Sequence, residues 1–404
     1  MRGVRILIAA ALAALLAALS LPVAGAQAAK RQVPRGWLGV TFGPNIAARH
    51  GSIDREFRAM ARDGVESVRV AVYWFRLQPY AKKSKVPRRD RREFRRSIGG
   101  VPVTYRALDS LVKTAARHGL PLAPVVLGAP AWASDDHLRP IFVPRDPADY
   151  SRLMGALAAR YGSGGAFWKG HPGLRKRPVR DWQIWNEVSN AWYWDDTWTT
   201  AYPRLLGASY TAIKAADPRA RVVMAGLNTG GSGQTSNTLP SWEALDRIYG
   251  GLDQQGLGRP FDATAAHIYT STVGDAVRVV QETRRVMDSH GDPRPIDVTE
   301  LAWPASKGKL RDDKGRKRTF FAETDKRGMA RRLSKGMLAL ASHRHQLNIG
   351  GVDWYQWISS YFGTSDAFSY AGLRRAHRRG IQDMPAMTSF RRVAGRLEGR
   401  RIRR

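Results

Sequence analysis

Short apolar and β-branched runs recur along the chain, and each is followed by a stretch with helical spacing. The runs predict strands at Trp37–Phe42, Ser67–Trp74, Leu120–Leu127, Val179–Trp185, Arg221–Leu227, Ala263–Tyr269, Pro295–Thr299 and Val352–Trp357. Helical patterns begin near Ile53, Tyr105, Asp146, Thr199, Ser241, Gly274, Thr324 and Pro385. At the third of these, Asp146-Pro147 supplies an N-cap and a rigid first turn, and Tyr150, Leu153, Met154 and Leu157 follow at helical spacing. Asp217-Pro218 stops the fourth helix before Val222 begins the next strand.

Eight alternating β/α units predict an α/β fold, a single (β/α)8 TIM barrel with enlarged βα loops. The rival is an open, doubly wound sheet. That arrangement calls for a phosphate-binding turn such as G-x-G-x-x-G after an early strand, and the sequence has none there. No linker, repeat or low-complexity tract marks a second domain.

The first residues lie outside this pattern. Arg2 and Arg5 precede an apolar run from Ile6 to Leu21, and Ala24-Gly25-Ala26-Gln27-Ala28 follows. Basic start, apolar middle and small-residue end predict a secretory signal peptide at 1–28 and a catalytic barrel at 29–404. The protein is thus expected to be secreted or associated with the cell envelope. The chain has no cysteine, which excludes disulfides, thiolate metal sites and cysteine nucleophiles.

Barrel chemistry takes place where the strands end. Strand four runs Asp181-Trp182-Gln183-Ile184-Trp185-Asn186-Glu187, and strand seven runs Ile296-Asp297-Val298-Thr299-Glu300-Leu301-Ala302-Trp303. Each gives out at a carboxylate. Two carboxyl groups flanking one bond are what glycosidic cleavage requires: one stays protonated for the leaving oxygen, the other attacks or activates water. Tryptophans bracket both, and aromatic rings cover the apolar C–H faces of sugars. Trp185, Trp192, Trp194, Trp303 and Trp357 are candidates for such a wall. Asp297 faces away from Glu300 by simple alternation, toward the helix layer. Serine-hydrolase and zinc-protease chemistry lack their motifs, G-x-S-x-G and H-E-x-x-H.

Trp185-Asn186-Glu187 resembles the Asn-Glu signature of clan A glycoside hydrolases, the retaining barrel group that includes families 5 and 39. The similarity is strongest to barrel hydrolases of actinobacterial type, through Arg180–Glu187, the Ala-Asp-Pro helix end and Val298–Trp303. The resemblance implies Glu187 as acid/base, Glu300 as nucleophile and Asn186 as donor to the sugar 2-hydroxyl. It further implies that His267 and Tyr269 end strand six facing the site, with Tyr269 on the nucleophile. Arg69 would orient that nucleophile, and Trp357 on strand eight would stack on substrate. No metal or organic cofactor is implied. Val188 departs from the pattern: the family usually has proline there, which stiffens the turn. The mechanism expected is retention, with carboxyl groups about 5–5.5 Å apart. A non-hydrolytic carbohydrate-binding protein and a transglycosylase on the same barrel are the alternatives.

Charge adds one question. The chain carries 66 Lys and Arg against 34 Asp and Glu, a net +32, and losing the leader removes only Arg2 and Arg5 from the excess. The densest runs are Lys82–Arg96, Lys307–Arg318 and Arg374, Arg375, Arg378 and Arg379, all in loops after strands. They point to an anionic glycan or cell-envelope polymer, or to arginine-rich composition alone. None is interleaved with the exposed aromatics that nucleic-acid binding favours, so no nucleic-acid partner is expected. No later segment is long enough to span a membrane.

Overall fold

The computed structural model describes residues 30–135, 141–229, 239–363, 365–378 and 380–400. The predicted leader at 1–28 and Arg379 lie outside the described residues. Eight strands close into a barrel: β1 Leu38–Thr41, β2 Ser67–Tyr73, β3 Leu122–Leu127, β4 Asp181–Ile184, β5 Arg221–Asn228, β6 Ala263–Ile268, β7 Ile296–Leu301 and β8 Ile349–Trp354. Each pairs in parallel with its sequence neighbours, and β1 pairs with β8. The helices between them are α1 Ile53–Arg62, α2 Arg106–Arg117, α3 Pro147–Tyr161, α4 Trp198–Ala216, α5 Ser241–Gln254, α6 Val273–Ser289 and α7 Lys326–Ser342, and α8 Pro385–Glu398 closes the chain. The Asp146 carboxylate accepts from Ala148 N and caps α3 as its sequence predicts. Among the described residues no helix is long and apolar enough to cross a membrane.

Two features escape the periodicity. The loop after β2 folds into an antiparallel hairpin, Arg96–Ile98 against Val101–Val103. The loop after β8 forms a small sheet of Ile358–Ser359, Arg374–His377 and Gly380–Asp383. Both enlarge the carboxyl-terminal face of the barrel.

Side chains on the outer face of the strands, such as Val68, Val70 and Ile184, are buried against the helices. The inner face is unusually polar for a barrel, where branched apolar layers are the norm. Arg221 on β5 donates to Asp181 of β4 at 2.6 Å and to Asp297 of β7 at 3.0 Å. These residues, with Asp353 of β8, bound a cavity of about 70 Å³ inside the amino-terminal half of the barrel. Gly39 on β1 is required here, since a Cβ would lie 1.6 Å from Asp353 Oδ1. Burial raises the Asp353 carboxyl to about 8.

Asp297 therefore corrects the expectation from alternation. Ala266 pairs with Val298, but His267 pairs with Glu300. The extra residue, Thr299, is a bulge that shifts the phase of β7 by one. Asp297, Thr299 and Glu300 consequently all face the barrel interior. The bulge turns Glu300 into the mouth of the barrel.

Candidate active site

The two carboxylates meet at the carboxyl-terminal mouth. Beyond β4 the backbone turns sharply, with φ of 67° at Trp185 and 39° at Glu187. Positive φ at bulky residues is costly and persists only where surrounding bonds fix it. Here Glu187 N donates to Gly226 O at 3.0 Å and Asn190 N donates to Glu187 O at 2.8 Å. The Asn190 side chain supplies more: its Nδ2 donates to Glu187 Oε2 at 3.1 Å, and its Oδ1 accepts from Trp192 N at 3.0 Å. Asn228 Nδ2 approaches the same carboxylate oxygen at 3.5 Å. Val188 is fully buried, so apolar packing and Asn190 hold the turn that a proline ring would stiffen.

Glu300 is gripped from two sides. Arg69 Nη1 donates to its Oε1 at 2.6 Å, and the Tyr269 hydroxyl donates to its Oε2. Arg69 is itself fixed, donating from Nε to Gln183 Oε1 at 2.7 Å and from Nη2 to Asn186 Oδ1 at 2.9 Å. That bond occupies the Asn186 oxygen and leaves its amide N–H groups as the donors available to a ligand. All these groups are buried, where charge-assisted bonds are strong.

His267 stands between the carboxylates. Its Nδ1 is 2.7 Å from Glu187 Oε1, and its Nε2 is 3.5 Å from Glu300 Oε1. The ring lies flat on Gly226, where a Cβ would come within 2.0 Å of Nε2, so β5 needs glycine at this point. Burial lowers the imidazole to about 3, and it is neutral at physiological pH. When Glu187 is protonated its hydroxyl can donate to Nδ1, which places the ring proton on Nε2.

Environment separates the two carboxyl groups. Burial raises Glu187 to about 7, against the lowering effects of Asn190, Asn228 and Arg69. Glu300 keeps a guanidinium and a phenol as partners. One oxygen of each carboxylate and one ring nitrogen of His267 lie within 4.8 Å of one another. A divalent ion spans such a distance, but the Arg69 guanidinium already neutralises Glu300 and opposes a second cation there.

The structure thus brings Glu187, Glu300, Arg69, Asn186, His267 and Tyr269 together. The tryptophans divide differently. Trp192 is 54% exposed on the loop after β4 and presents a face at the rim. Trp185 and Trp194 are buried against each other, their ring centroids 5.3 Å apart. Trp303 is fully buried, its indole donating to Thr270 O at 2.7 Å, so it is a core residue rather than a ligand contact. Trp357 is displaced for a clear reason. β8 ends at Trp354, three residues before the predicted end, so Trp357 lies beyond the strand, fully buried, and donates to Glu56 Oε2 of α1 at 2.8 Å. Trp357→Phe is accordingly expected to cost about 1 kcal/mol in urea unfolding through loss of a buried bond, with KM unchanged.

Tyr355 occupies the strand end instead. It is half-buried, and its ring centroid lies 6.5 Å from that of Tyr269 and 5.4 Å from that of Phe368. The nearby charge of Glu300, after burial, raises its phenol. The sequence Trp354-Tyr355-Gln356-Trp357 is aromatic at three of four positions, so apolar character alone cannot mark the turn. Gln183 and Asn190 were equally invisible as functional groups. Only Asn190 carries a signal, as a turn-forming residue three places after Glu187.

No family model and no curated protein matches the chain. Its fold is similar to that of solved glycoside hydrolases at low identity. A family 39 glycoside hydrolase from the gut symbiont Bacteroides cellulosilyticus WH2 is 18% identical with a TM-score of 0.56, over 91% of this chain and 64% of that one. The chain thus spans somewhat less than two thirds of that protein's length. A GH39 β-xylosidase from Caulobacter crescentus is 15% identical, TM-score 0.58, over 90% of this chain and 72% of that one. The Ignisphaera aggregans GH53 catalytic domain is 18% identical, TM-score 0.55, over 92% of this chain and 98% of that one. At these identities the likeness is one of fold: this chain shares the closed barrel of family 39 and family 53 glycoside hydrolases.

Proposed function

We propose that the protein is a retaining glycoside hydrolase of clan A type that cleaves O-glycosidic bonds of an oligo- or polysaccharide. The observation that carries this reading is a pair of carboxyl groups with one oxygen of each within 4.8 Å, one group raised to about 7 and the other held by Arg69 and Tyr269. A spacing of about 5–5.5 Å between carboxyl groups suits a covalent intermediate, whereas inversion needs about 6.5–9.5 Å to admit a water. Glu300 attacks the anomeric carbon while Glu187 protonates the leaving oxygen. Glu187 then takes a proton from the water that releases the product. Asn186 donates to the sugar hydroxyl next to the reacting carbon, and Arg69 and Tyr269 hold Glu300 in place. Trp192 and Tyr355 offer aromatic faces to the sugar. The segments Arg180–Glu187 and Val298–Trp303 support kinship with barrel hydrolases of actinobacterial type, and the leader supports export to the medium or cell envelope.

The test is an activity screen on glycosides and polysaccharides, with Glu187→Ala as control. On substrates with unactivated leaving groups, cleavage lost in the control supports the reading and cleavage equal in both overturns it. Glycan binding without cleavage of any substrate favours a binding protein instead.

The pH profile supplies a second check. Glu187 must be protonated for the first step, so kcat/KM falls as pH rises through about 7. Asn190 stabilises the charged form of Glu187, since its amide donates to Oε2. Asn190→Ala is expected to move this alkaline limb upward by about one pH unit. A limb that stays in place removes Asn190 from the role.

A further inference from the structure

The two densest runs of basic residues, Lys82–Arg96 and Lys307–Arg318, follow β2 and β7 on the face that holds the two carboxylates. Part of the helix charge is neutralised, since Arg58 pairs with Asp54, Arg160 with Asp109, Arg278 with Asp275 and Arg285 with Glu282, whereas the basic residues of α7 have no carboxylate in ion-pair range among the described residues. The loops after β2 and β7 hold few ion pairs. Of the nine basic residues from Lys82 to Arg96, only Arg89 has a carboxylate in ion-pair range among the described residues, Asp90 at 3.8 Å. The two acids of that run are engaged elsewhere, Asp90 by the Tyr80 hydroxyl and Glu93 by the Thr104 hydroxyl, each at 2.8 Å. Of the seven from Lys307 to Arg318, only Arg316 is paired, with Asp312 at 2.6 Å. Arg374 does not belong to this set. It is tied to Glu56 at 2.6 Å and to Asp383 at 2.9 Å, and so serves the fold.

One of the unpaired cations stands at the cleft itself. Tyr73 ends β2, and a short helix, Trp74–Leu77, follows directly. Arg76 in that helix is exposed, and its guanidinium carbon lies 5.4 Å from the Tyr73 ring centroid and 5.9 Å from that of Phe75. No carboxylate is in ion-pair range of Arg76 among the described residues. A Cβ on Gly128, the residue just beyond β3, would meet the Phe75 ring at 3.1 Å and the Tyr73 ring at 3.6 Å, so this aromatic pair lies at the carboxyl-terminal mouth. A guanidinium held over aromatic faces is oriented at little further entropic cost, and its N–H edge is left free for a planar anion.

We propose that the cleft takes an anionic glycan, with Arg76 binding a carboxylate or sulfate on a sugar beside the scissile bond and the Lys82–Arg96 and Lys307–Arg318 loops attracting the chain. This rests on the glycosidase reading of the same site. Arg76 sets specificity by direct contact, whereas the two loops act at longer range and are screened by salt.

The experiment measures binding with the full-length Glu300→Gln protein, so that it does not depend on turnover. The probes are a polyuronate, a sulfated polysaccharide and a neutral polysaccharide, each at low and high salt. Arg76→Gln and Arg58→Gln are compared in this background. They remove the same charge, but Arg58 sits on α1, away from the cleft. The expected result is binding to at least one anionic glycan, weakened about ten-fold by Arg76→Gln and less than two-fold by Arg58→Gln. Preference between polyuronate and sulfated glycan identifies the anion. Equal binding of the neutral and both anionic polymers overturns the proposal, and so does equal weakening by the two substitutions. Tight, Arg76-dependent binding with no cleavage by the wild-type protein would leave this proposal standing and remove the glycosidase reading. Cleavage confined to neutral glycans does the reverse.

Discussion

Glu300→Gln is expected to lower turnover by about 10⁴-fold or more on every glycoside the protein cleaves. The amide is nearly isosteric and keeps one oxygen for Arg69, with its NH2 turned to the Tyr269 oxygen, but it cannot form the glycosyl ester. Substrate binding is therefore expected to survive while kcat collapses. The variant also leaves Arg69 without its anionic partner in a buried site, so thermal unfolding must be measured alongside. A folded Glu300→Gln protein with wild-type turnover would exclude Glu300 as nucleophile.

Glu187→Ala is expected to cost about 10²–10⁴-fold in kcat/KM on substrates with poor leaving groups. The loss is small for activated aryl glycosides, because their leaving groups need no proton. With those substrates the second step becomes limiting, since no base remains to activate water. Azide is an anion that needs no base, so adding it restores turnover and yields the glycosyl azide. Leaving-group dependence and azide rescue together separate an acid/base from a merely structural glutamate. Absence of rescue, in a folded variant that still cleaves aryl glycosides slowly, would move the role of acid/base away from Glu187.

Much of this site was legible in the order of residues along the chain. Two strand ends could be found because their apolar runs give way to polar residues, at Asn186-Glu187 and at Glu300. The barrel then carries two residues more than a hundred positions apart to one mouth. Periodicity failed where local geometry departs from regular pairing. The bulge at Thr299 reverses the face of Asp297, and only strand register reveals it. Trp357 was misplaced because an aromatic run has no internal signal for where a strand ends. Asn190 and Gln183 act through hydrogen bonds whose partners are set by the fold, so their residue types alone carry little information. The charge excess was plain from composition. Its meaning depends on pairing, which separates Arg374 and the paired helix arginines from the open loops around the cleft.

The pH behaviour links packing to chemistry. Glu187 and Glu300 differ in their neighbours more than in their intrinsic acidity. Burial keeps Glu187 protonated toward neutrality, while Glu300 is bonded by a guanidinium and a phenol. His267, neutral between them, adds a hydrogen-bond partner for Glu187 without adding a charge. The same low-dielectric setting makes each lost hydrogen bond expensive, so substitutions at Gln183 or Gly226 should disturb catalysis by moving Arg69 or His267.

Retention is the central claim, and the anomeric configuration of the first-formed product tests it most directly. Nuclear magnetic resonance, recorded before mutarotation, reads that configuration on whichever glycoside the screen identifies. A covalent intermediate on Glu300 predicts a product with the same configuration as the bond that was cleaved. An inverted product would contradict it and would turn Glu300 from a nucleophile into a base.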